Sequence, residues 1–103
     1  MDSESPQPYD VSYSQRVMSG LHDLLESASK RGKAAPVVAA IKRFDYLFRV
    51  YPQFGDPLRD FSIPSTKLYL GQVSPLVVRY VVDEEHRQVL IGSLFQTYSG
   101  FDK

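Results

Sequence analysis

Arg79 is the residue whose type and position first suggest chemistry, because it interrupts an otherwise apolar run at residues 76–82. Burying an unpaired cation costs several kcal/mol or more, so this side chain must find an acidic partner or point away from the core. An ion pair with a neighbouring acid is the simpler alternative. If the Arg79 guanidinium has no such acidic partner, it can bind an anionic group. We therefore expect the functional site on the face of the sheet that carries Arg79.

The composition excludes most other kinds of site chemistry. The 103 residues contain no cysteine, which removes disulfides, zinc-cysteine sites and thiol catalysis together. His22 and His86 fall in different predicted elements, so they form neither a metal-ligand pair nor a catalytic dyad. The net charge is +0, and no apolar run reaches the length of a spanning helix. We expect no metal and no cofactor, and we predict a soluble, cytoplasmic protein.

An antiparallel sheet is predicted over residues 66–95, where three apolar segments are separated by two short turns. β-Branched and aromatic residues, which fit a pleated surface, are dense in all three segments. The middle segment, residues 76–83, is apolar at both odd- and even-numbered positions, so both of its faces carry apolar side chains. This pattern is typical of a central strand. We expect helices to cover one face of this sheet and the other face to be only partly covered.

Two helices are predicted to supply that cover. The first spans Gln15–Lys30 after a capping Ser14, and the second spans residues 35–50. Each carries apolar residues at three- and four-residue steps, which marks one buried stripe. Only a few residues separate the two helices, so an antiparallel hairpin is expected.

The remaining segments complete a single domain, predicted over residues 9–103. Short strands are expected at residues 9–13 and 59–63, which gives an α+β fold with the order β-α-α-β-β-β-β. Residues 1–8 are polar, contain proline and lack large apolar side chains. We predict a disordered tail there, because nothing offsets its ordering entropy.

This order of elements, together with three short phrases, resembles the RelE/ParE superfamily of bacterial toxins. The phrases are FGDP at residues 54–57, KLYL at residues 67–70, and PLVVRYVVDEE at residues 75–85 followed by Val89. The likeness covers most of residues 9–95. It implies a two-helix antiparallel hairpin packed on one face of a mostly antiparallel sheet, in the toxin of a type II toxin-antitoxin system.

The resemblance also implies an active face. In the RNA-cleaving members, basic residues and a late tyrosine promote attack of a ribose 2′-hydroxyl on the adjacent phosphate. That reaction needs a proton acceptor, a proton donor and cations for the developing charge. On this chain the resemblance assigns catalytic roles to Lys67, Arg79 and Tyr98. Val77 occupies the place of a usual arginine, and Arg79, two residues further on the same face, can stand in for it.

Contact with a protein partner or RNA is expected at Arg59, Tyr69 and Val77. Tyr69 stands where another lysine is common in the family, and a tyrosine there serves either packing or base stacking. Arg59 belongs to a predicted edge strand, where an arginine suits a partner strand or an acidic segment.

Three functions from different classes remain open. The first is an mRNA endoribonuclease acting at the ribosome. The second is a non-catalytic toxin-fold protein that binds an antitoxin or a topoisomerase. The third is an interaction module that keeps only the fold and uses its open face as a homodimer interface. An antitoxin-like protein is the expected partner, and no membrane partner is expected.

The turn at Ser74-Pro75 decides whether the predicted catalytic residues converge. A two-residue loop places Tyr69 opposite Tyr80 and leaves Lys67 and Arg79 on opposite faces of the sheet, whereas a three-residue loop places both cations on one face. We predict the three-residue loop, because it keeps both cations on the open side and leaves a clean apolar face for the helices.

Overall fold

The computed structural model describes residues 8–60, 65–92, 96 and 97. Of the predicted tail, residues 1–8, only Pro8 belongs to this part of the chain, and Tyr98 lies outside it. The described residues form two α-helices and a mostly antiparallel sheet, which confirms the predicted α+β class.

Strand β1, Asp10–Tyr13, leads directly into helix α1, Gln15–Lys30. Between them, the Ser14 hydroxyl oxygen accepts a hydrogen bond from the N–H of Val17 at 3.1 Å, which satisfies one of the free donors of the first helical turn. Beyond the helix, Gly32 has a φ of 70°, which a residue without a side chain adopts at little cost. Both predicted bounds of this helix are confirmed.

Helix α2, Ala34–Val50, follows after three residues and packs against α1. Its buried stripe consists of Val37, Ala40, Phe44 and Phe48. A 3₁₀ turn, Pro52–Phe54, comes next, because proline ends a helix at the preceding residue. Phe44 is fully buried and Leu24 of α1 packs against the core, as the apolar stripes predicted.

The sheet contains the strands β2 (Asp56–Asp60), β3 (Thr66–Val73), β4 (Leu76–Asp83), β5 (Gln88–Ile91) and β6 (Gln96–Thr97). Five strands lie side by side in the order β1-β5-β4-β3-β2, and β6 pairs with β4. Among the strand pairs of the described residues, only β1–β5 is parallel. Strand β4 is central, as its apolar composition predicted.

Strand β2 begins earlier than the predicted segment at residues 59–63. Asp56 and Pro57, which the sequence indicated as a turn, already pair with Leu70 and Tyr69 of β3. The pairing shifts between Pro57 and Arg59, so that Leu58 forms a bulge on this outer strand. Proline is tolerated here because an edge strand leaves some N–H groups without a ladder partner.

The predicted three-residue loop between β3 and β4 is wrong. Val73 pairs with Leu76, which leaves Ser74 and Pro75 as a two-residue loop, and Tyr69 pairs with Tyr80. The physical reason is aromatic packing. The Tyr69 and Tyr80 rings stack at 5.5 Å with planes 12° apart, and both side chains are buried beneath the helices.

Tyr80 is the centre of the core. Its ring stacks on Phe54 at 5.6 Å and lies 4.9 Å from the ring of Phe48. Its hydroxyl donates a hydrogen bond to the carbonyl of Pro52 at 2.7 Å and accepts one from the N–H of Gly55 at 3.1 Å. The side chain thus ties β4 to the connection between α2 and β2.

A second polar network ties β1 to α2. The Tyr13 hydroxyl donates a hydrogen bond to Asp45 at 2.7 Å, and Arg49 donates to the same carboxylate at 3.0 and 3.3 Å. Burial, followed by the hydrogen bond to Asp45, raises the pKa of Tyr13. Partial burial acts in the opposite direction on Asp45, but the hydrogen bonds from Arg49 and Tyr13 hold its pKa below the ordinary value.

Removing the Tyr13 hydroxyl tests this network. The Tyr13→Phe variant is expected to lower the free energy of unfolding by about 1 to 2 kcal/mol, because it removes a hydrogen bond to a charged, partly buried acceptor. Urea denaturation measures the change. Tyr51→Phe is the matched control, since that side chain is 57% exposed and its loss of a hydroxyl should change stability by less than about 0.5 kcal/mol. Equal costs for the two variants would contradict the role assigned to Tyr13.

Candidate protein-binding face

The two faces of the sheet differ in cover. On β4, the residues Leu76, Val78, Tyr80 and Val82 are buried against the helical side, and the residues between them alternate onto the other side. We call this other side the open face. On β3 and β5 it is formed by the residues that pair directly with Val77, Arg79, Val81 and Asp83.

The observed register separates the two predicted catalytic cations. Lys67 pairs with Val82, so it lies on the helical side of the sheet, whereas Arg79 pairs with Leu70 on the open face. Both residues are exposed, but they cannot act on one bound group from opposite faces. The prediction that they share a face is wrong, because the Tyr69–Tyr80 stack fixes the alternative register.

The other predicted site residues also divide between the faces. Tyr69 lies on the helical side and is 5% exposed, so its ring belongs to the core. Val77 is half-buried on the open face, two residues before Arg79. The backbone of Arg59 pairs with Leu68 at the outer strand. Val77 and Arg79 thus share the open face along β4.

An apolar row crosses the open face beside Arg79. Leu68, Val81 and Leu90 occupy directly paired positions on β3, β4 and β5, so their side chains stand next to one another. Leu68 and Val81 are half-buried, and Leu90 is 46% exposed. We call these three residues the apolar row. Three adjacent apolar side chains across the strands form one continuous patch, which distinguishes them from single surface leucines.

Arg79 adds one positive charge at the border of this row. Its neighbour across β3 is Leu70, and Val81 follows two residues along β4. Among the described residues, the Arg79 side chain makes no hydrogen bond or ion pair. The expected alternative, an ion pair with a neighbouring acid, is therefore not formed within this part of the chain. A guanidinium in such a place can bind a carboxylate by donating two parallel hydrogen bonds to it.

The acid nearest along β4, Asp83, is engaged elsewhere. Its carboxylate lies 2.9 Å from His86 Nδ1 and accepts a hydrogen bond from the His86 backbone N–H at 3.2 Å. These hydrogen bonds lower the pKa of Asp83, and the side-chain bond to Asp83 raises the pKa of His86. The pair closes the β4–β5 turn, so the Asp83 carboxylate is not paired with Arg79.

Sequence reasoning missed the apolar row for an identifiable reason. Leu68 and Leu90 were known as apolar strand residues, but the face that each occupies depends on register, and a one-residue slip exchanges the faces. With Tyr69 placed opposite Tyr80, the same alternation assigns Leu68 to the open face. The cue that was available was the pair of aromatic residues, which belong together in a core.

Other kinds of site are not evident in the described residues. This part of the chain contains no group of three or more His, Asp or Glu side chains that could hold a metal ion. No helix within it is long and apolar enough to cross a membrane.

No protein-family model matches the chain, and a search of curated proteins finds no match either.

Proposed function

We propose that this chain is a RelE/ParE-like, toxin-fold protein that acts by binding a protein partner through its open face. The observation that carries the proposal is the apolar row of Leu68, Val81 and Leu90 with Arg79 at its border. The order of a strand, two helices and an antiparallel sheet supports the family resemblance at the level of fold alone.

RNA cleavage has less support than partner binding. Cleavage of the kind that the resemblance implies needs several cooperating groups within reach of one phosphate. The register leaves Arg79 on the open face and moves Lys67 to the other side, while Tyr69 packs in the core. The open face instead presents the apolar row with Arg79 at its border, which favours a protein ligand over a phosphate chain.

The surface also indicates the chemistry of the partner. Leu90, which is 46% exposed, and its two neighbours favour a segment that presents apolar side chains along one edge. Arg79 favours a carboxylate beside them, since a guanidinium buried on binding must be paired. Both conditions are satisfied by an amphipathic segment of an antitoxin-like protein whose apolar face includes one acidic residue.

Charge reversal at Arg79 tests this proposal. With the product of the adjacent reading frame co-expressed as the candidate partner, the Arg79→Glu variant is expected to reduce copurification at least tenfold. The reason is that the substitution places two carboxylates against each other at an apolar interface. Lys67→Glu is the matched control, because Lys67 is an exposed cation on the opposite face of the neighbouring strand and should leave copurification unchanged.

Two outcomes would contradict the proposal. Equal retention of the partner by both variants would place the interface elsewhere. If induced expression of the wild-type chain leads to cleavage of cellular messages, and Arg79→Ala abolishes that cleavage, the function is RNA cleavage and not partner binding.

A further inference from the structure

Strand β1 forms one edge of the sheet, and its outer side carries unused peptide groups. The N–H groups of Asp10 and Ser14 donate hydrogen bonds toward β5, to Arg87 and Ile91. Because successive residues of a strand direct their peptide groups to opposite sides, Val11 and Tyr13 direct theirs away from β5. Within the described chain, no hydrogen bond is made by either of these N–H groups.

Among the described residues, the opposite edge of the sheet carries features that hinder strand addition, whereas β1 carries none of them. Strand β2 contains Pro57, a bulge at Leu58 and an acidic residue at each end, all of which hinder pairing with another strand. Strand β1 is regular over its 4 residues and has neither proline nor lysine. The residues of β1 therefore do not hinder pairing with an additional strand.

Exposed apolar side chains stand at both ends of β1. At its C-terminal end, Met18 lies one helical turn beyond Ser14 and is 53% exposed. At its N-terminal end, the N–H of Tyr9 donates a hydrogen bond to the carbonyl of Arg49, which is followed by Val50 and Tyr51, 52% and 57% exposed. Each end of this edge thus offers apolar surface without a partner among the described residues.

We propose that β1 pairs with β1 of a second copy of this chain, antiparallel and across a two-fold axis. An antiparallel copy brings the C-terminal end of one β1 beside the N-terminal end of the other, so Met18 of each copy approaches Val50 and Tyr51 of the other. The same contact then occurs twice, as an isologous interface requires. A strand pair of this length is by itself smaller than a stable interface, and the apolar ends supply the additional area.

The available peptide groups fix the register of the pair. Val11 of one copy stands opposite Tyr13 of the other, because these residues have outward N–H and C=O groups, and Ser12 faces its own counterpart on the axis. Valine opposite an aromatic residue is a favourable cross-strand pair. Asp10 stands opposite Ser14 of the other copy, so like charges do not meet. This interface uses the outer edge of β1, whereas the apolar row lies on the open face of β3, β4 and β5, so the dimer goes beyond the proposed partner binding.

A single introduced cysteine tests the register, because the natural sequence contains no cysteine. In Ser12→Cys the two Cα atoms lie about 4.5 Å apart, which permits a disulfide, whereas in Asp10→Cys they lie roughly 14 Å apart. Both positions are exposed on the same strand and face. Under mild oxidation we expect most of the Ser12→Cys chain as a covalent dimer and less than a tenth of the Asp10→Cys chain.

A second variant tests the edge itself. Val11→Pro removes an outward N–H that no bond of the described fold uses, and proline is tolerated at such a position. Sedimentation equilibrium is expected to show a concentration-dependent dimer for the wild type and at least tenfold weaker association for Val11→Pro, with an unchanged circular dichroism spectrum. Val11→Ala, which keeps the N–H, is the control for the side chain.

The outcomes separate this interface from the proposed function. Equal cross-linking of the two cysteine variants, or a wild type that sediments as a monomer at all concentrations, would overturn the dimer. If Val11→Pro fails to fold, the cysteine pair still decides the question. Arg79→Glu should leave cross-linking through Ser12→Cys unchanged, so loss of partner binding and loss of the dimer are distinguishable.

Discussion

The Phe44→Ala variant is expected to lower the free energy of unfolding by about 3 to 5 kcal/mol, the range for truncating a fully buried phenylalanine. Phe44 is 0% exposed, and its ring lies 5.6 Å from that of Phe48 and 6.2 Å from that of Phe54. The loss includes the transfer free energy of the ring and a cavity between helix and sheet. Urea denaturation, followed by circular dichroism, measures the midpoint and slope.

A control on the same helix separates packing from helix propensity. Tyr46 is 56% exposed on α2, with the guanidinium of Arg43 5.8 Å from its ring centre. Tyr46→Ala should cost less than about 1 kcal/mol, because it removes only an exposed contact of this kind. A similar loss for both variants would mean that α2 does not pack on the sheet through Phe44.

The helices were predictable because their signals are local. Ser14 accepts a hydrogen bond at the start of α1, Gly32 follows its end, and Pro52 follows α2. Each of these residues acts through backbone groups within one helical turn, so no knowledge of distant contacts is needed. The α+β class and the central position of β4 followed from the apolar patterns of the individual segments in the same way.

The faces of the sheet were not predictable in this way, because they depend on long-range packing. Ser74 and Pro75 are compatible with loops of either length, and a one-residue difference exchanges the faces of β3 relative to β4. The prediction of a three-residue loop was based on placing Lys67 and Arg79 on the same face of the sheet. The structure instead places Tyr69 and Tyr80 together under Phe48 and Phe54, and an exposed lysine at position 67 is compatible with that arrangement.

Gly71 shows how the same packing selects the residue type on β3. A Cβ atom at this position would lie 2.9 Å from the ring of Phe54 and 3.1 Å from that of Tyr80. The absence of a side chain lets the Phe54 ring stack on Tyr80. Glycine within a strand marks such close approaches, and here it indicates which face of β3 the aromatic core occupies.

The second large effect is expected where Gly55 meets Tyr80. In Gly55→Ala the new Cβ would lie 2.5 Å from the Tyr80 hydroxyl oxygen and 2.7 Å from the carbonyl oxygen of Leu70. The second contact is with backbone, so β2 must move away from β3. We expect a loss of about 2 to 3 kcal/mol in the free energy of unfolding, as for an overpacked core. Gly92→Ala is the control, because its Cβ would meet nothing within 4 Å.

The Tyr80→Phe variant tests the same contact between Gly55 and Tyr80 by removing the tyrosine hydroxyl. The substitution removes the hydroxyl that donates a hydrogen bond to the Pro52 carbonyl and accepts one from the Gly55 N–H. Leaving these buried groups without a partner lowers the free energy of unfolding by about 1 to 3 kcal/mol. The Gly55→Ala/Tyr80→Phe double variant should lose less than the sum of the single losses, because the clash with the hydroxyl disappears while that with Leu70 remains. A coupling of at least about 0.5 kcal/mol in a double-mutant cycle is the expected measurement. Strict additivity would mean that the hydroxyl does not fix the α2–β2 connection, and that another contact holds β2 against β3.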